Sequence, residues 1–173
     1  MSDKQPLSDR IDLATLREVG LFGGIDDETL SVLCRELPIE WIGVGTRVVA
    51  EGDPAREMFV VLDGELEVLK KSRSGTEIRV AMLGPGGWFG EMSILDVQPR
   101  SASVRALAPS RVLRMSAESV ERLLYRRDLK AYSLFVMNIA RELSRRLRVA
   151  DGILAQFAGV IADEYATKIP SGG

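Results

Sequence analysis

The stretch Gly86-Gly87-Trp88-Phe89-Gly90-Glu91-Met92-Ser93-Ile94-Leu95-Asp96-Val97-Gln98-Pro99-Arg100-Ser101-Ala102-Ser103-Val104 decides how this chain reads. It sets an acid, Glu91, and a base, Arg100, nine residues apart between two strand-like segments. Phe89-Gly90-Glu91 opens it as a turn, and Arg100 to Val104 returns it to an extended, alternating run. Arg100 offers a planar, permanently charged fork of donors that suits a phosphate. Glu91, once ionised, only accepts hydrogen bonds and so suits a hydroxyl. The backbone N–H groups after Gly90 can turn toward the same phosphate, as helix starts do. The pattern is a cradle for a ligand carrying both a phosphate and a sugar hydroxyl. Its plain alternative is a surface ion pair worth about 0–1 kcal/mol.

Outward from this stretch, residues 39–115 form short β-rich runs broken by glycine turns. The predicted strands are Ile39–Ile42, Arg47–Ala50, Met58–Leu62, Glu65–Lys70, Glu77–Leu83, Trp88–Phe89, Ser101–Leu107 and Val112–Met115. Gly43/Gly45, Gly52-Asp53-Pro54, Asp63-Gly64, Ser74-Gly75 and Gly84 to Gly87 supply the turns. Many short, closely spaced strands imply a barrel or a double-sheet jelly roll, which periodicity alone does not separate. Helices flank them. A short helix is predicted over Ile11–Val19, and a second, capped by Asp26 or Asp27, through Glu36, where Pro38 stops it. Cys34 lies in that second helix as a packing residue. Ser116 caps a predicted helix through Tyr125, and a longer helix begins near Asp128.

In that last helix Val136, Ala140, Leu143, Leu147, Ala150, Leu154, Phe157 and Ile161 are spaced 4, 3, 4, 3, 4, 3, 4. This is an a/d heptad seam, the pattern of helices paired along their length, and it predicts a coiled-coil homodimer. Arg141, Arg145, Arg146 and Arg148 suit the solvated flanks of such a helix. The domain reading is an N-terminal segment over 1–20, a jelly roll with flanking helices over 21–127, a C-terminal helix over 128–165 and a frayed tail over 166–173, with Met1 to Ser8 loose.

Composition excludes several classes. The chain has 173 residues, 46% hydrophobic and 28% charged, with a net charge of −2, so no basic field draws it to nucleic acid or anionic membrane. It has no histidine and one cysteine, which removes His-based catalysis, internal disulfides and the usual ligands of a metal-dependent jelly-roll enzyme. The opening Met1-Ser2-Asp3-Lys4-Gln5-Pro6 lacks a secretory pattern, and no apolar run approaches the roughly 20 residues of a membrane span, so a cytoplasmic protein is expected.

The segment from Gly86 to Val104 closely resembles the phosphate-binding cassette of cyclic nucleotide-binding domains, the sensor domains of catabolite activator type. Glu51-Gly52-Asp53 and Met58 to Val68 resemble that family's central strands and glycine turns, so the likeness runs from about Leu21 to Phe157. It implies an α+β fold: a β jelly-roll (double-stranded β-helix) barrel flanked by N-terminal helices and a long C-terminal dimerisation helix. It implies that Gly90, Glu91, Met92, Ser93, Arg100, Ser101 and Ala102 hold the cyclic phosphate and ribose. It implies that Val68, Val80, Leu83, Arg146, Ala150 and Asp151 border the base, with Val136, Ala140, Leu143, Leu147, Leu154 and Phe157 forming the dimer seam. No metal or other cofactor is expected. Cyclic AMP is the default ligand and cyclic GMP the rival, because a carboxylate at Asp151 accepts guanine's two adjacent donors. After Val149 only about two dozen residues remain, too few for the DNA-reading domain that follows this helix in the activators. The resulting expectation is a stand-alone, non-enzymatic receptor that signals to a partner in trans through movement of its C-terminal helix. The alternative is a ligand-free dimeric scaffold with a relic pocket.

Overall fold

The computed structural model describes residues 10–168, apart from 55 and 97, with side chains to residue 162. The loose start expected over Met1 to Ser8 therefore lies outside the described residues. Two short helices lead in. In α1 (Leu13–Glu18) the Asp12 carboxylate accepts the Thr15 N–H at 2.7 Å; in α2 (Asp27–Glu36) that of Asp26 accepts the Thr29 N–H at 2.9 Å. Each cap satisfies a donor that a helix start leaves unpaired. Asp26, not Asp27, takes the second cap. A 3-10 turn at Gly20–Phe22 joins the two helices, and Leu16, Leu21, Phe22, Leu30 and Leu33 are buried against the barrel. Cys34 is partly buried in the same packing.

The strands are β1 (Ile39–Ile42), β2 (Arg47–Val49), β3 (Glu57–Asp63), β4 (Leu66–Lys71), β5 (Glu77–Leu83), β6 (Trp88–Phe89), β7 (Ser103–Ala106) and β8 (Ser110–Ser116), with α3 (Met92–Leu95) between β6 and β7. They pair antiparallel in two four-stranded sheets, ordered β1-β8-β3-β6 and β2-β7-β4-β5, the two sheets of a jelly roll. β3 is the shared wall. Met58 and Val60 pack toward the helices, whereas Phe59 and Val61 pack between the sheets with Leu66, Phe89, Val104 and Val112. A strand buried on both faces has no reason to alternate, which is why Met58 to Leu62 is apolar at every position.

Strand β7 starts two residues later than predicted. The Arg100 N–H donates to the Asp53 carbonyl and the Gly52 N–H to the Arg100 carbonyl, both at 2.9 Å, so Ser101 and Ala102 form a bend outside the ladder. The helix predicted from Ser116 through Tyr125 also changes character. After α4 (Ala117–Val120) it widens into a π turn at Glu121–Tyr125, where the Arg126 N–H reaches the Glu121 carbonyl at 2.9 Å. The wider turn lets Val120, Leu123 and Leu124 all bury.

Helix α5 (Leu129–Lys168) is tied down at its start. Asp128 accepts the N–H groups of Lys130 and Ala131 at 2.9 and 3.0 Å and the Thr29 hydroxyl at 3.2 Å. Ala131, Phe135 and Ile139 are buried, and the Asn138 amide donates to the Leu21 and Gly23 carbonyls at 3.1 and 3.0 Å. From Leu147 to residue 162 every position is exposed. The heptad seam is thus divided. Val136 and Leu143 pack on the chain's own core and Ala140 is exposed, whereas Leu147, Leu154 and Phe157 stand 62%, 66% and 65% exposed. The cause is the wider apolar face of the first half, which the barrel itself covers. The helix also outruns its expected end at residue 165; the rest of the expected tail, 169–173, lies outside the described residues. Among the described residues no helix is long and apolar enough to cross a membrane.

Gly64 closes the β3–β4 hairpin at φ +92°, where a Cβ would lie 2.2 Å from the Ser110 hydroxyl and 2.6 Å from the Pro109 carbonyl. We expect Gly64→Ala to lower stability by about 1–3 kcal/mol, read as a shift of the urea midpoint. A midpoint unchanged from the parent would contradict this close packing.

Candidate functional site

A cavity of about 530 Å³ opens between β4, β5, β6, α3, β7 and α5, within the range of small-molecule sites. Gly90-Glu91 and the bend Ser101-Ala102 both leave the ladders, and all four residues line the cavity. Gly90 is indispensable to that arrangement. It sits at φ +83°, and a Cβ would fall 2.5 Å from Arg100 Nη1 and 2.7 Å from the Glu57 carbonyl. Only glycine lets the guanidinium close on the chain.

Arg100 is 5% exposed. Its Nη1 donates to the Glu57 carbonyl at 2.6 Å and lies 3.4 Å from the Gly90 carbonyl and 3.5 Å from the Ser93 hydroxyl. Its Cζ stands 6.0 Å from the centre of the Phe59 ring. All three acceptors are uncharged, and among the described residues Arg100 makes no ion pair. Its Nε is buried with no hydrogen-bond partner. Burial draws the guanidinium's affinity for its proton down, with Glu57, Glu91 and Asp53 acting the other way from a distance. A buried cation held by neutral groups, with a donor left over, has the chemistry to take an anion.

Glu91 is 3% exposed and sits at the mouth of α3. Arg146 reaches down from α5 and donates from Nη1 to Glu91 Oε1 at 2.9 Å, from Nη2 to the Trp88 carbonyl at 3.2 Å, and from Nε to Glu142 Oε1 at 2.8 Å. Arg145 adds two bonds to Glu142, at 2.7 and 2.8 Å. The two arginines hold the Glu142 carboxyl down to about 2. Burial pushes the Glu91 carboxyl up, against the pull of Arg146. The two acids are therefore set apart: one stays ionised in mild acid while the other takes up a proton first.

Most of the residues singled out in the sequence meet here. Gly90, Glu91, Met92, Ser93, Arg100, Ser101 and Ala102 line the cavity, as do Val68, Val80, Leu83, Arg146 and Ala150. Asp151 does not line it. It is five residues on from Arg146, a rotation of about 140° around the helix, which carries it off the inner face. Val49, Ala81, Met82, Trp88, Phe89 and Val104 from the barrel and Glu142, Arg145, Val149 and Ile153 from α5 line the cavity as well, none of them among the residues expected there. Three of the four helix residues follow once the structure has placed Arg146 at the pocket, since positions four before, three after and seven after share its face.

The sequence of residues 40–127, just over half of the chain, matches the family described as the cyclic nucleotide-binding domain. The chain belongs to that family. Among its relatives is a CRP-like cAMP-activated global transcriptional regulator of Mycobacterium tuberculosis, 27% identical over 154 residues, covering 86% of this chain and 66% of that protein. Another is the cyclic AMP receptor protein of Thermus thermophilus, 33% identical over 131 residues, covering 76% of this chain and 58% of that one. A solved cyclic nucleotide-binding domain from Methylobacillus flagellatus superimposes with a TM-score of 0.73 at 28% identity, over 83% of this chain and 81% of that one. This cyclic nucleotide-binding domain thus spans about three-fifths to two-thirds of the length of its regulator relatives.

The raised Glu91 carboxyl has a consequence for pH. Its folded form binds the proton more readily than the unfolded chain does, so the stability it contributes is present below its ordinary value of 4.5 and is lost as pH rises through the folded value. In a carboxyl-carbon NMR titration we expect the Glu91 midpoint above 4.5, and higher still in Arg146→Gln, which removes the cation that lowers it. A midpoint at or below 4.5 in the parent protein would refute the buried, desolvated setting.

Proposed function

We propose that this domain is a cyclic nucleotide receptor, a sensor without catalytic activity, that takes cyclic AMP or cyclic GMP into the cavity beside α5. The observation that carries the reading is Arg100, buried with no ion pair among the described residues and with Nε unpartnered. The cyclic phosphate provides the missing charge. Arg100, the Ser101 hydroxyl and the backbone of Gly90 to Ser93 hold it. Ala102 leaves room beside the chain, and the Glu91 carboxylate accepts the ribose hydroxyl. Val68, Val80 and Leu83 lie along the ligand, and Arg146 and Ala150 close over it from α5. The names of the relatives favour cyclic AMP as the natural ligand.

Output follows from the way α5 is attached. Its first half is locked to the core through Phe135, Ile139 and Asn138, while its second half touches the barrel through Arg146. A ligand that engages Glu91 shares the acceptor that Arg146 uses. It shifts the helix between positions only so far as it binds one of them better. The exposed Leu147, Leu154 and Phe157 then present a seam to a second copy of the chain or to an effector acted on in trans. The same exposed stripe is what favours the second reading, a dimeric scaffold that binds no nucleotide.

Calorimetry separates the two. We expect cyclic AMP to bind with a micromolar Kd, about −8 kcal/mol, and Arg100→Met to lose at least 100-fold in affinity. Because the variant removes a buried cation with no ion pair, its thermal midpoint should hold or rise. No binding of either nucleotide at millimolar concentration would leave the scaffold reading standing.

A further inference from the structure

The cavity lining falls into two chemical groups. Its turn and bend beside the ladders contribute the polar Glu91, Ser93, Arg100 and Ser101; β5 and the part of α5 beyond Arg146 contribute the apolar Val80, Met82, Val149, Ala150 and Ile153. Three polar side chains of α5 also border the space, Glu142, Arg145 and Arg146, and they are committed elsewhere. Arg145 is forked onto Glu142, and Arg146 divides its donors among Glu142, Glu91 and the Trp88 carbonyl. With Glu142 held down to about 2, its carboxylate stays ionised throughout the neutral range.

We infer that a cyclic nucleotide seated with its phosphate on Arg100 sets its base among these apolar side chains, held without a side-chain hydrogen bond, so that the domain accepts both cyclic AMP and cyclic GMP, with affinities within about 100-fold of each other. Val149, Ala150 and Ile153, and not Asp151, are the positions that set base preference. This rests on the receptor reading above. The reason is one of scale. A site built to hydrogen-bond a substrate rejects an analogue lacking that group by roughly 10⁴–10⁵-fold, because its own buried polar atoms are left unpaired. A wall of methyl groups has no such atoms, and discriminates between ligands that differ by a polar substituent by only roughly 100-fold or less. Guanine brings more polar groups to that wall than adenine does, so the residual preference runs toward cyclic AMP.

The wall also indicates how a preference could be installed. A carboxylate accepts the ring N–H and amino group of guanine together, while adenine offers it only an amino group. At position 153 such a carboxylate would stand in the cavity; at position 151 the native one stands outside it. Ile153 is half exposed, so a polar replacement there does not disturb the core.

Calorimetric titrations of the full chain with each nucleotide test this. The expected result is a cyclic AMP to cyclic GMP affinity ratio below about 100-fold, unchanged within twofold by Asp151→Thr. In Ile153→Asp the ratio should move at least tenfold toward cyclic GMP. A parent ratio above about 100-fold, or a tenfold change in Asp151→Thr, would overturn the base assignment while leaving the receptor reading intact. Failure of both nucleotides to bind the parent protein would overturn the receptor reading and this inference with it.

Discussion

The cavity is arranged around one buried charge, Arg100, that no ion pair among the described residues neutralises. A guanidinium removed from water carries a large desolvation penalty unless an anion or a full set of hydrogen bonds compensates it. Arg100 has neither an ion pair among the described residues nor a partner for Nε, only carbonyls, a distant hydroxyl and the face of Phe59. Holding it there requires a glycine at position 90, where any side chain would meet both the guanidinium and the Glu57 carbonyl. It also requires the chain to leave the β-ladder at Ser101 and Ala102, which the hydrogen bonds of Arg100 with Gly52 and Asp53 enforce. Strand β3 serves both needs. Its Glu57 carbonyl receives Arg100, its Phe59 ring lies under it, and its two buried faces join both core clusters.

Helix α5 is two structures in one element. Up to Leu143 it belongs to the domain core, fixed by its Asp128 cap and by Asn138. Beyond that it is an exposed arm fastened near its base by Arg146. Glu91 therefore joins the floor of the cavity to the helix above it. Local stability is lowest where few buried contacts hold an element, and the second half of α5 is such a place. In the proposed receptor, a ligand bound at Glu91 would act on a stretch that few buried contacts hold.

Strand content was legible because glycine-bearing turns punctuate it and because β3, buried on both faces, reads as an unbroken apolar run. The predicted edges of β1, β5 and β6 coincide with those observed. The cassette was legible because its acid, its base and its glycine are close in sequence, so local spacing carries the geometry. The α5 face was not. The heptad count places Leu147, Leu154 and Phe157 on one line but cannot say whether the chain's own barrel or another surface covers Val136 and Leu143. The π turn at Glu121–Tyr125 was equally silent, since its residues differ in no way from those of an ordinary amphipathic helix.

The sequence by itself determined the order of elements, the position of the cassette and the candidate charges within it, because these depend on period, turn chemistry and short-range spacing. Only the tertiary structure decided that Arg100 lacks a counter-charge, that Arg146 holds Glu91, and that Asp151 faces away while Val149 and Ile153 face in. Each of those facts joins residues more than forty positions apart or depends on the rotation of α5 about its axis. Packing of the first half of that helix on the core sets the rotation, and no local pattern in its second half records it.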